Sequence, residues 1–288
     1  MPLYNPTTPN VWLSTLYNQL PSNNGNVHIT ASTHLSADLF AISLIVDAGV
    51  TLYTDNYRIF ALTSLTNNGT ISNNGGNGGN GTVSAGGPRG TTPPNHTLYA
   101  GRYGGVGAFN GANGGAGAGT APSFGVDGGK GGNAGAFTGG AFSPQNLLYA
   151  SSTFFALYNS YLSIEDILSA SPIIITPGAG GGGGAANIGT AGGGGGGAGG
   201  GFVFIAAQSL LNTGLITATG GNPGNAHDDG LTAAGGGGGG GGGCVMLYSN
   251  RLTPGTIDVS GGTDGLGANG GQDGDGGEDG SIIKCPLY

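Results

Sequence analysis

Glycine runs almost without interruption through 180–184, 192–197, 199–201 and 235–243, and dominates looser Gly/Asn/Ala tracts at 75–90, 104–119, 125–140 and 261–280. Such runs carry no side chain to bury, so neither the 3.6-residue period of an amphipathic helix nor the alternation of a half-buried strand can be written into them. Glycine also loses more backbone freedom on folding than any other residue. Flexible linkers are usually Gly/Ser mixtures, and several long structureless loops within one chain argue against that assignment. The alternative is a set of polyproline-II-type glycine helices, with three residues per turn and ~3.1 Å rise, in which 235–243 spans about 28 Å. Such helices turn their N–H and C=O groups sideways. Without Cβ atoms they approach closely enough to pair those groups, so a hydrogen-bonded stack replaces a hydrophobic core. Irregular glycine loops are the competing reading.

The remaining composition narrows the classes of function. With 69 Gly and 14 Pro in 288 residues, low-complexity disorder is the usual outcome. Disordered chains, however, are rich in charge and poor in aromatics, whereas this one holds 10 Phe and 11 Tyr at a mean hydropathy of +0.03. Charged residues are only 7% of the chain, which removes most of the side chains that perform acid and base chemistry, and no enzyme is expected. Six Lys and Arg against 14 Asp and Glu leave a charge of −8, which repels nucleic acid. No run approaches the ~18 apolar residues of a membrane span. The opening MPLYNPTTPNVW has neither the basic nor the apolar region of a secretory signal.

Three divisions are expected. Residues 1–37 form an attachment or capping segment, in which Val11, Trp12, Leu13, Leu16, Tyr17 and Leu20 suit a short amphipathic helix before Pro21. Residues 38–81 form a strand-rich domain, with LFAISLIV at 39–46 and YRIFALTSL at 57–65. Residues 82–288 form a glycine-rich domain with an aromatic insert at 142–176, where Ser163 can cap a short helix. An internal repeat crosses these divisions: Leu65-x3-Gly69-x-Ile71-x3-Gly75-Gly76 recurs as Leu210-x3-Gly214-x-Ile216-x3-Gly220-Gly221 and as Leu252-x2-Gly255-x-Ile257-x3-Gly261-Gly262. An apolar strand precedes each copy. The spacing is irregular for a solenoid, and predicts stacked strand pairs separated by glycine-rich excursions. The fold class is therefore all-β with polyglycine II helices, combining β-helix-like or sandwich-like strand pairs with a hydrogen-bonded glycine stack.

The run LIVDAGVTLYTDNYRIFALTSLTNNGTISNNGGNGGNG, at 44–81, resembles the strand-rich opening of glycine-rich bacteriophage tail-fibre proteins. GGGGGGAGGGFVFIAAQSLLNTGLITATGGNPG and GGGGGGGGGCVMLYSNRLTPGTIDVSGGTDG are similar to their carboxyl-terminal portions. Glycine tracts between short variable segments also resemble the tip adhesins of T-even-like phages. The resemblance covers roughly 38–90 and 178–283, and implies packed polyglycine II helices whose connecting loops touch a bacterial surface receptor. The strand repeats and the aromatic insert depart from the adhesin pattern and leave room for a trimeric fibre.

Candidate chemistry is sparse. NGGQDGDGGEDG at 269–280 superficially matches calcium-binding Gly/Asp repeats but never meets their register, so solvated turn aspartates are the expected reading. His28, His34, His96 and His227 lack metal spacing, no carboxylate pair is placed for sugar hydrolysis, and no cofactor motif occurs. Cys244 and Cys285 either close a disulfide that pins the last strand or stay as free thiols. The bulky residues between glycine tracts, namely His96, Tyr99, Arg102, Tyr103, Phe109, Phe124 and Phe137, are the receptor-binding candidates, as is the segment Pro223–Leu231. The alternative is that these aromatics merely cap glycine helices. The expected function is a non-catalytic virion surface protein, a tail-fibre or tip adhesin that binds a bacterial glycan or outer-surface protein. Its expected location is the virion surface, its 1–37 segment contacts other virion proteins, and it forms a homo-oligomer such as a trimer. A structural fibre or capsid-decorating protein and an ice-binding protein are the alternatives.

Overall fold

A computed structural model of the chain describes residues 25–93, 98, 100–117, 127–141 and 178–285. Among them there is no helix, and every strand pairs in parallel. The strands are β1 (Asn26–Ile29), β2 (Thr33–His34), β3 (Leu39–Val46), β4 (Thr51–Tyr53), β5 (Ile59–Asn67), β6 (Thr70–Ser72), β7 (Phe202–Asn212), β8 (Leu215–Thr217), β9 (Cys244–Tyr248), β10 (Arg251–Thr253), β11 (Thr256–Asp258) and β12 (Ser281–Cys285). One sheet has the order β1-β3-β5-β7-β9-β12, with β10 also on β7; the other has the order β11-β8-β6-β4-β2. Each rung of this two-sheeted stack except that of β12 lays a strand in the first sheet, turns a corner, and lays a strand in the second.

The internal repeat lies in register across the stack. Leu65 pairs with Leu210 and Leu210 with Leu252, while Ile71 pairs with Ile216 and Ile216 with Ile257. These side chains, with Leu44, Val203, Val245 and Leu247, form the core between the sheets. Each fully buried leucine or isoleucine there contributes about 1.5–3 kcal/mol. The corner uses Asn and Gly for separate reasons. Asn67 and Asn212 are buried and linked: Asn67 Nδ2 donates to Asn212 Oδ1 at 2.8 Å, and Asn212 Nδ2 donates to the Pro254 and Thr256 carbonyls, which ties each bend to the next. At Gly69 a Cβ would lie 2.2 Å from the Asp47 carbonyl oxygen of the preceding rung. Outside the core, Phe40 stacks on Phe60 at 4.8 Å, Phe60 meets Phe204 at 5.6 Å, and Phe204 meets Tyr248 at 5.5 Å, one aromatic row across four strands.

Between rungs the chain leaves the sheets and returns along glycine tracts. Outward tracts are 73–81, 100–108, 127–134, 178–187, 218–226 and 259–268; returning tracts are 85–91, 112–117, 137–141, 192–201, 234–243 and 271–280. Backbone bonds tie them at every third residue: Gly75, Gly78 and Gly81 donate to Thr219, Asn222 and Asn225, and Gly194, Gly197 and Gly200 donate to Gly235, Gly238 and Gly241. A β ladder exchanges bonds through alternate residues. The three-residue beat therefore sets this network apart from the sheets that it adjoins.

The homopolymeric runs occupy the centre. Tract 192–201 is bonded to six others, 73–81, 85–91, 100–108, 178–187, 218–226 and 234–243, and tracts 178–187 and 234–243 also have six partners each. With neighbours on every side, the buried positions of these tracts admit no side chain larger than the methyl groups of Ala179, Ala185, Ala186, Ala198 and Ala234, all fully buried. A Cβ at Gly197 would fall 1.9 Å from the Gly221 carbonyl oxygen, and one at Gly240 would fall 2.0 Å from that of Ala198. Outer tracts lack neighbours on one side, and there every third residue carries a side chain, as at Asn74, Asn77 and Asn80.

Two expectations about organisation change. β1 and β2 lie within the segment expected to cap the chain at 1–37, and strands from either side of residue 81 share both sheets, β5 pairing with β7. The strand-rich and glycine-rich divisions are thus interleaved, because each excursion starts and ends on a rung. The helices expected at 11–20 and after Ser163, and the insert 142–176, lie outside the described residues.

Cys244 and Cys285 are free thiols, the second of the two readings left open by the sequence. Cys244 is opposite Ser281 and Cys285 opposite Tyr248, so the two sit four positions apart on neighbouring strands. That is about 13 Å at ~3.3 Å per residue, well outside disulfide reach. Burial pushes both thiols up, Cys244 the further. Titration of the unreduced native protein with a thiol reagent is expected to label half-buried Cys285 slowly and Cys244 only after unfolding; finding no free thiol in the unfolded, unreduced chain contradicts this arrangement. Gly240→Ala is expected to lower stability by about 3 kcal/mol or more, whereas Ala116→Ser at an exposed third position changes it by less than ~0.5 kcal/mol, both read from denaturant unfolding.

Candidate functional site

The connections at the end of the glycine array farthest from the sheets are short turns at 82–85, 109–112, 134–137, 187–191, 226–233 and 268–271. Asn-Gly pairs make two of them, with φ of 52° and 74° at Asn110 and Gly111 and 50° and 84° at Asn269 and Gly270. Asn and Gly are the residues that reach this left-handed region at least strain. Leu231 is 91% exposed and Ile188 75% exposed, and Val83 is exposed on a third turn. Phe137 and Ile188 meet over Gly111, where a Cβ would lie 3.4 Å from Phe137 Cζ and 2.7 Å from Ile188 Cγ1. Apolar side chains are thus held outward on these turns.

Asp229 organises this end. Its Oδ1 accepts the N–H groups of Leu231 at 2.9 Å and Thr232 at 2.6 Å, and the Asn269 amide at 3.2 Å; its Oδ2 accepts the Thr190 hydroxyl at 2.8 Å. One carboxylate therefore joins the turns at 187–191, 226–233 and 268–271. The Thr232 backbone N–H, then that of Leu231, then the Thr190 hydroxyl hold its pKa well below the usual carboxylate range.

A second strip runs along one side of the array. Tyr103, Val106 and Phe109 follow the three-residue beat of tract 100–108 and lie along its outer edge, and the Arg89 guanidinium sits over the Tyr103 ring at 4.8 Å. Arg102, next to Tyr103, is half-buried, and its N–H donates to the Gly178 carbonyl. Of the sequence candidates, the structure brings Tyr103 and Phe109 onto this edge and Phe137 to the distal turns. His96, Tyr99 and Phe124 lie outside the described residues. Val106 and Ile188 escaped the sequence reading. Counting in threes from Tyr103 finds Val106, whereas Ile188 is signalled only by Gly189 in the turn after a glycine run.

The acids and polar residues have structural tasks. Asp273 Oδ1 accepts the Gly267 N–H at 2.7 Å and Asp279 Oδ1 that of Gly261 at 3.0 Å, closing amides that have no neighbouring tract. Asn77 Oδ1 takes the Asn222 N–H at 2.9 Å, and Asn222 Oδ1 takes the Thr263 N–H at 3.1 Å. Beside them is an open groove of ≈ 460 Å³ lined by Asn74, Asn77, Thr219, Asn222, Ser260 and Thr263, with no titratable side chain among its lining residues. Among the described residues no group of three or more His, Cys, Asp and Glu is placed to hold a metal ion. No helix among them is long and apolar enough to cross a membrane. No protein-family model, curated protein or solved structure matches the chain.

Because the folded-state pKa of Asp229 is depressed, the clamp is complete above the ordinary carboxylate value near about 4 and is lost only as pH falls below it. Protection of the Leu231 and Thr232 amides, taken against the intrinsic exchange rate at each pH, is expected to stay high down to about pH 4 and to fall below it. Asp229→Ala is expected to speed their exchange by about tenfold at neutral pH without unfolding the sheets. Equal exchange in wild type and variant contradicts the clamp.

Proposed function

We propose that this chain is a non-catalytic adhesin of a virion surface, a bacteriophage tail-fibre or tip protein that holds a bacterial receptor with the distal turns and the adjoining Tyr103–Phe109 edge. The glycine array is a bundle of polyglycine II helices, a reading supported by bonding at every third residue, negative φ throughout the tracts, and Cβ positions that collide with neighbouring carbonyls. The observation that carries the function is the exposure of Leu231 and Ile188 on turns fixed at one end of a scaffold that has no side-chain core of its own at that end. Scaffolds that keep binding residues on turns let those residues vary without disturbing the fold.

The sheets form the end nearer the virion, assembling there as a homo-oligomer such as a trimer and contacting other virion proteins. Among the described residues β1 and β12 are the edges of the first sheet and offer backbone groups for that assembly. The test is adsorption of the purified full chain to a panel of bacterial strains. Wild type is expected to bind some strains, and replacing 227–231 with Gly-Ser residues is expected to reduce that binding at least about tenfold while the thermal transition is unchanged. Absence of binding to every strain, together with concentration-dependent assembly in light scattering, rejects the adhesin and favours a structural fibre.

A further inference from the structure

The two sides of the glycine array are finished differently. At the 259–268 side, carboxylates of Asp273 and Asp279 close the otherwise unpaired amides of Gly267 and Gly261. At the opposite side, formed by 85–91 and 100–108, the backbone N–H groups of Arg89, Tyr103 and Val106 have no hydrogen-bond partner among the described residues, and all three residues are exposed. Among the described residues neither Arg89 nor Arg102 has an ion-pair partner, and Arg102 Nε is buried with no hydrogen-bond partner. In a chain with only 6 Lys and Arg, two lie here.

We infer that this edge binds an anionic glycan, a saccharide whose carboxylate or phosphate takes the Arg89 guanidinium and the free amides of Tyr103 and Val106. The molecule itself supplies the chemical precedent, since carboxylates already close the equivalent amides on its far side. Charge-assisted bonds from a guanidinium and from backbone N–H groups are the strong kind. The Tyr103, Val106 and Phe109 side chains then supply an apolar strip for the faces of the sugar rings. A second copy of the chain fits less well. The Asp273 and Asp279 carboxylates of its acidic side are engaged with their own amides.

The inference rests on the adhesin reading for its biological sense, but its test is independent of cells. Isothermal titration of the full chain is to be run with an oligogalacturonate, a phosphomannan fragment and a neutral oligogalactose of equal length. At least one anionic probe is expected to bind about tenfold or more tighter than the neutral one, with the difference shrinking as salt rises. Arg89→Gln is expected to abolish that preference and Tyr103→Ala to weaken both classes of probe, while Asp275→Asn, on the far edge, leaves the affinities unchanged. Which anionic probe binds separates a carboxylate from a phosphate as the group recognised. Equal affinity for charged and neutral probes, no binding of any probe, or a preference that survives Arg89→Gln overturns the site. Salt-sensitive dimers in sedimentation that both Arg89→Gln and Asp275→Asn dissolve assign the edge to a second copy and overturn it as well. If cells are bound through 227–231 while the anionic preference is absent, the inference fails and the adhesin reading stands; an anionic preference without adsorption to any strain gives the reverse.

Discussion

Everything in this molecule depends on a hydrogen bond made between two backbones at a separation that a Cβ atom would forbid. Such a bond nets only about 0.5–1.5 kcal/mol, and ordering a glycine costs about 1 kcal/mol more than ordering an alanine. No single contact stabilises the array. A residue of tract 192–201 is instead enclosed by tracts on all sides, so that its N–H and C=O are both paired and excluded from water, and the removal of one partner leaves a buried polar group exposed to its full desolvation penalty.

The sheets make that enclosure reachable from a disordered chain. β6, β8 and β11 pass directly into the outward tracts 73–81, 218–226 and 259–268, while 192–201, 234–243 and 271–280 run into β7, β9 and β12. Register set by leucine and isoleucine in the two-sheet core is therefore handed to tracts that have no side chains to set their own. A one-residue slip in a strand would turn its apolar set outward, whereas a slip in a glycine run changes no side chain, so the strands carry the alignment for both. The Asn67–Asn212 link keeps the corners stacked as this register is transferred.

Separating the two kinds of order also separates two tasks. Apolar burial holds one end, and backbone pairing carries rigidity to the other, where turns are left free to present side chains. Asp229 then locks three of those turns with one carboxylate, so Leu231 and Ile188 are held out without an apolar core beneath them. Side-chain carboxylates close exposed amides on one side of the array, whereas among the described residues those of the Arg89 edge have no such partner.

By itself the sequence determined which residues stack. Leucine, isoleucine and glycine at matched spacings in three copies predicted the rungs, because a parallel stack needs like residues in like places, and uninterrupted glycine predicted a place without room for side chains. It also marked Tyr103 and Phe109 as unusual among glycines. Tertiary structure alone decided that strands on either side of residue 81 share the same two sheets, since a pairing between β5 and β7 leaves no local trace. It decided that Cys244 and Cys285 stay apart, because proximity in a parallel pair depends on register and not on spacing along the chain. And it decided that the turn at Ile188, far in sequence from Phe137 and Asn269, lies beside them: bringing distant turns together is a property of how tracts pack, and glycine tracts carry no side chain from which that packing can be read.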